Sequence, residues 1–144
     1  MSDTFDLSNL DLTKAGNSGA WLTLRHPATD VELPIKLKLA GTDSDAYRQA
    51  ERDYTNRRMR ELNQRGKIGN ITAESVEAQA INILAAATLD WQGVMVDGAE
   101  IPCTKEQAKN LYLRFAWVRR QAELFIDDPA NFTAEGYANA IAGN

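Results

Sequence analysis

One cysteine and one histidine in 144 residues leave little material for most catalytic chemistry. Cys103 has no partner for an internal disulfide, which points to a reducing compartment without requiring one. A cysteine nucleophile needs a base, and His26 is the only imidazole that could supply it. The place of Cys103 just before a helix start could lower its pKa, yet a small packing residue is the simpler reading. His26 stands in the turn sequence His26-Pro27-Ala28-Thr29-Asp30, far in sequence from the lone cysteine. A metal site usually draws about three or four Cys, His or carboxylate ligands together, and no such spacing is present. Asp127-Asp128 lacks the spaced ligands and glycine of a calcium loop and reads as solvated acids ending a helix. Asp90 and Asp97-Gly98 read as turn residues. Glycine-rich phosphate loops of either common type are missing. These absences predict a protein that is not an enzyme and needs no cofactor or metal.

Other absences bear on location. No apolar run approaches the roughly 18 residues of a membrane span, so no membrane partner is expected. The start, Met1-Ser2-Asp3-Thr4-Phe5-Asp6, lacks the basic flank and apolar stretch of a signal peptide, which predicts a cytosolic protein. The net charge of −4 provides no global attraction to nucleic acid or to anionic lipid.

What is present suits one globular domain. Hydrophobic residues make up 44% of the chain, enough for a core at this length without staples. Residues 1–19, rich in Ser, Asp, Asn, Thr and Gly, read as a flexible leader that stays loose unless it docks. Residues 20–144 read as a single helix-rich α+β domain. Trp21–Arg25 and the alternating Val31, Leu33, Ile35, Leu37 and Leu39 predict an N-terminal β-hairpin with the odd positions on a core face. Pro34 cannot donate a ladder hydrogen bond, so its strand is expected at an edge or with a bulge. Thr42, Asp43 or Ser44 caps a helix running to about Arg65 and ending at Gly66. Thr72 caps a second, reaching about Leu89. Asp97-Gly98 between short apolar runs predicts a second hairpin. A third main helix follows the capping box Thr104-Lys105-Glu106-Gln107 and stops at Asp128-Pro129. Thr133 is expected to cap a short C-terminal helix through Ile141.

Two features suggest contacts with partners. The third main helix carries a core stripe: Ala108, Leu111, Tyr112, Phe115, Val118, Ala122, Phe125 and Ile126. A second row, Leu113, Trp117 and Leu124, lies roughly opposite. That row is either covered by a hairpin or the final helix, or it meets a subunit or client. Trp117 beside Arg119 and Arg120 has the composition of binding hot spots. The other feature is the basic run Arg52, Arg57, Arg58, Arg60, Arg65 and Lys67, against Asp53 and Glu61. It reads as a solvated helix face or as a surface for an acidic protein. Nucleic acid is disfavoured, because Tyr54 is the only aromatic among the arginines. Candidate partner contacts are therefore Leu113, Trp117, Arg120, Leu124, Arg57 and Arg58.

The order of these blocks resembles the tail-assembly chaperones of long-tailed (siphovirus-type) bacteriophages, the group that includes the lambda G protein. The resemblance is carried by His26–Asp30 with Val31–Leu39 and Gly41–Arg48, by Trp91 with Asp97-Gly98, by Cys103–Ala108 leading into Phe115–Gln121, and by Phe125–Phe132. It covers residues 20–132. The resemblance implies a helix-rich fold with a small sheet, no cofactor, and assembly in the host cytoplasm. The implied partners are the helical tape-measure protein and the tail-tube protein, with a homo-oligomer possible. Many members of that group place a proline just before the helical tryptophan; Ala116 stands there, so a straighter helix is expected. Asp127-Asp128 also departs from the group's single acid and basic residue. Two other classes stay open: a small nucleic-acid-binding regulator using residues 52–67, and a structural tail-tube or connector protein of the virion.

Overall fold

A computed structural model describes residues 4–67 and 69–133. The expected C-terminal helix lies, beyond Thr133, outside the described residues. The elements are α1 (Leu12–Ser18), β1 (Ala20–Arg25), β2 (Glu32–Leu39), α2 (Asp45–Arg65), α3 (Ala73–Ala86), β3 (Thr88–Gln92), β4 (Met95–Val96), β5 (Ala99–Glu100), α4 (Lys105–Arg114) and α5 (Ala116–Asp127). Short 3-10 turns at Leu7–Leu10 and Pro129–Phe132 flank them. The fold is mixed α+β, with a small antiparallel sheet and an N-terminal hairpin, as the residue pattern predicted.

The alternation in β2 puts Leu37 and Leu39 fully inside, while Lys36 is exposed and Lys38 half-exposed. Val31 breaks the pattern: it precedes the strand, at the turn end of the hairpin where its carbonyl accepts from the His26 N–H, and is 62% exposed. Sheet order is β1-β2-β3, so β2 is central and not at an edge. Pro34 is tolerated there for the other reason foreseen, a bulge. The β1–β2 register shifts between Thr23 and Arg25, and β3 begins to pair only at Lys36. Pro34 thus falls where no ladder donor is required. Gly93, just past β3 at φ +75°, passes so close to the Pro34 carbonyl that a Cβ would collide with its oxygen.

β3 was not foreseen. The apolar spacing of the second helix runs on through Ala87 to about Leu89, but the helix ends at Ala86. Thr88–Gln92 instead takes the open side of β2. The β-branched and aromatic residues Thr88 and Trp91 favour that pairing. Tertiary pairing here overrides local periodicity.

The residues before β1 also gain structure. Asp11 caps α1, and Gly16 packs against Gly41 and Ser44 so closely that a Cβ would meet the Ser44 nitrogen at 3.2 Å. Asn17 accepts from the Asp45 backbone N–H (2.7 Å) and donates to its carboxylate (3.0 Å). Residues 12–18 therefore dock against the start of α2.

The third main helix is two helices. At Phe115 the backbone leaves helical geometry (φ −115°, ψ 85°), and the Phe115 carbonyl accepts from Val118 and Arg119 to start α5. Neither proline nor glycine stands at the break, which corrects the straight helix expected from Ala116. The cause is tertiary. α4 packs chiefly on α3, whereas α5 also reaches β1 and β2, so the two halves follow different supports. The core gathers Leu24, Leu37, Leu39, Ile81, Leu84, Trp91, Leu111, Tyr112, Val118, Ala122 and Ile126. Inside it, the Tyr112 hydroxyl meets Thr88 Oγ1 at 2.7 Å, and Trp91 Nε1 donates to the Ile101 carbonyl at 2.7 Å.

Candidate protein-binding surface

The sequence-level candidates for chemistry have structural partners of another kind. His26 Nδ1 accepts from the Ala28 and Thr29 backbone N–H groups and so closes its turn. Cys103 is half-buried, and burial together with the Asp90 charge pushes its thiol pKa up, away from a reactive thiolate. Asp97 takes the left-handed position of its turn (φ 53°) and accepts from both Arg114 terminal nitrogens at 2.7 and 3.0 Å. That pairing holds the Asp97 carboxyl below its usual range. Asp128 caps the Pro129–Phe132 turn through the Ala130 N–H. Among the described residues, no group of three or more His, Cys, Asp or Glu side chains is placed to hold a metal ion. No helix among them is long and apolar enough to cross a membrane.

The outer row of the third helix is divided by the break. Leu113 on α4 is 65% exposed and Leu124 on α5 is 73% exposed. Arg120 is exposed as well. Trp117 stands apart from these two: it is half-buried and packs against the core, closer to the covered reading of the row than to the exposed one. Periodicity read through residue 115 assumed one continuous helix, and the break changes the phase of α5 relative to α4.

Arg57 and Arg58 also part company. Arg58 Nε donates to the Tyr54 hydroxyl (2.9 Å), and its guanidinium reaches Glu61 at 3.5 Å. Its side chain is committed to α2 itself. Arg57 lies over the Tyr54 ring at 5.8 Å and lines a groove of about 230 Å³ with Arg60, Lys105 and Lys109. Asp53 is the one acid among the lining residues. Sequence reasoning could not have joined Lys105 and Lys109 to the arginines, because α4 and α2 meet there only through α3.

A second groove, of about 370 Å³, lies between α2, α3 and α5. Its apolar floor includes Val76, Ala80, Ile83 and Ile126, with Tyr47 at its side and Glu51, Glu123 and Asp127 around it. Burial raises the Tyr47 hydroxyl pKa, and the charges of Glu51, Asp127 and Glu123 add to the shift, so the three carboxylates act on one spot. The sequence offered no signal for this groove beyond the apolar spacing of α3. Both grooves exist because α2 buries none of its residues fully and lies beside α3 as a polar rod. Such surfaces can hold a protein segment; neither gathers a nucleophile, a base and an orienting group as acid–base or covalent catalysis requires. Set against known proteins, the chain matches no family model, no curated protein and no solved structure.

Proposed function

We propose that the chain is a non-catalytic, cytoplasmic tail-assembly chaperone that binds the tape-measure protein and aids tail-tube assembly. The observation that carries the reading is the break at Phe115. It falls directly before Ala116 and Trp117, where many of the resembled chaperones are expected to carry proline, and it forms without one. The local sequence did not demand a bend there, so the surrounding packing does. Exposed Leu113, Arg120 and Leu124 on either side of the bend, together with the two grooves along α2, give a client several places to rest.

A phage from which this gene is deleted tests the reading. The expected result is filled heads without tails, rescued by supplying the chain from a plasmid. Normal tails in the deletion strain would contradict it. The basic groove keeps a nucleic-acid regulator as the rival. That rival requires a sequence-selective complex at moderate salt that is lost with Arg57→Ala plus Arg60→Ala. Weak binding that vanishes with salt reflects phosphate attraction alone.

A further inference from the structure

We propose that the groove between α2, α3 and α5 docks a helical segment of a partner protein, with an apolar ridge flanked by lysine or arginine. Three features point to that occupant. Val76, Ala80 and Ile83 stand at i, i+4 and i+7 along α3, a row against which a second helix can lay its own ridge. Val76 is 52% exposed, so one side of the groove is open; a small ligand needs fuller enclosure than that. The charge is of one sign: Glu51, Glu123 and Asp127 line the groove and no basic residue does. Arg119, which bridges Glu77 (3.2 Å) and Glu123 (3.5 Å), is the cation that partly offsets them. A cationic flank would complement the remaining charge over a partly dry floor, where pairing is stronger than in water. Residues 134–144 contain Glu135 and no basic residue, so their charge does not complement the groove.

The proposal rests on the reading of the chain as a protein binder, and its test separates the two. The probe is a labelled synthetic peptide with a leucine and alanine ridge at helical spacing and lysines on both flanks. Its controls are the same composition scrambled, and a version with glutamate for each lysine. Anisotropy at low salt reads binding to the full chain, and circular dichroism reads helix gain in the peptide. The amphipathic basic peptide should bind and become helical, and the controls should not. Ala80→Trp fills the groove from an exposed position and should weaken binding by about tenfold or more, the effect of losing a well-packed interface contact. Glu123→Gln plus Asp127→Asn should do the same. Glu100→Gln plus Glu106→Gln removes equal charge elsewhere and should leave binding unchanged. Binding that ignores Ala80→Trp, or that follows net charge alone, overturns the proposal; so does no binding at low salt. A concentration-dependent dimer of the free chain that Ala80→Trp abolishes would give the groove to a second copy and also overturns it. If tape-measure capture persists in Ala80→Trp while the peptide never docks, the groove proposal falls and the chaperone reading stands. If the peptide docks as described but the chain never captures a tape measure, the reverse holds.

Discussion

Gln121 of α5 and the backbone of Arg25 in β1 exchange two hydrogen bonds, 2.9 and 2.8 Å long, across 96 residues of sequence. The side-chain amide serves as a ladder partner for an edge strand at the place where the β1–β2 register shifts. It ties the second half of the bent helix to the sheet. Gln121→Ala should therefore cost about 1–3 kcal/mol, two hydrogen bonds at roughly 1 kcal/mol each. Gln121→Glu retains one acceptor but loses the donor to the Arg25 carbonyl and should fall between. Urea melts of the three proteins check the order.

The α4 and α5 faces should separate by stability. Leu111 is buried, and Leu111→Ala should cost about 2–5 kcal/mol. Leu113→Ala and Leu124→Ala should stay within about 0.5 kcal/mol of the parent, the usual range for exposed sites. Trp117→Ala should lie between these limits, because its ring is half-buried against the core. Denaturant midpoints measure all four. A Trp117→Ala protein as stable as the Leu124→Ala protein would return Trp117 to the outer row.

Gly93→Ala should be costly for its size. The residue sits at φ +75°, and the added methyl would strike the Pro34 carbonyl oxygen. The strain should exceed about 1 kcal/mol, and the collision adds to it by pushing β3 off the bulge in β2. Gly98→Ala is the control: it shares a positive φ of 83° but has open space around the new Cβ. Thermal melts should rank Gly93→Ala well below Gly98→Ala.

The buried Tyr112 hydroxyl makes stability fall at high pH. Burial raises its pKa, against a smaller opposing effect of the Thr88 hydrogen bond. An unfolded tyrosine loses its proton near pH 10. Above that pH the unfolded chain sheds a proton that the folded chain keeps, so the stabilisation is present below about pH 10 and is lost as pH rises further. Each pH unit in that window removes up to about 1.4 kcal/mol. Tyr112→Phe should flatten the slope between pH 10 and 11, read from urea melts.

Much of the fold was legible because it rests on local signals. Ser44, Thr72 and Thr104 each accept the backbone hydrogen bond expected of a helix cap, and Gly66 takes the left-handed C-terminal position. Asp97-Gly98 makes the second turn, with both residues at positive φ. The features that escaped all depend on distant partners. Thr88–Gln92 becomes a strand because β2 offers it an open side. Residues 12–18 dock because Gly16 and Gly41 allow close approach. Phe115 bends because α4 and α5 lean on different elements. The grooves were least legible, since Lys105 meets Arg57, and Glu123 meets Glu51, only after α3 has brought those helices together.

The most direct test of the chaperone account is co-expression of the chain with a phage tape-measure protein, followed by affinity capture and sedimentation of the complex. The account predicts that the tape measure co-purifies with the chain and that more of it stays soluble in the chain's presence than in its absence. It also predicts that Leu113→Asp plus Leu124→Asp weakens capture while the melting curve of the chain stays put. A tape-measure protein that remains insoluble, with no complex in the sedimentation profile despite a folded chain, would contradict it.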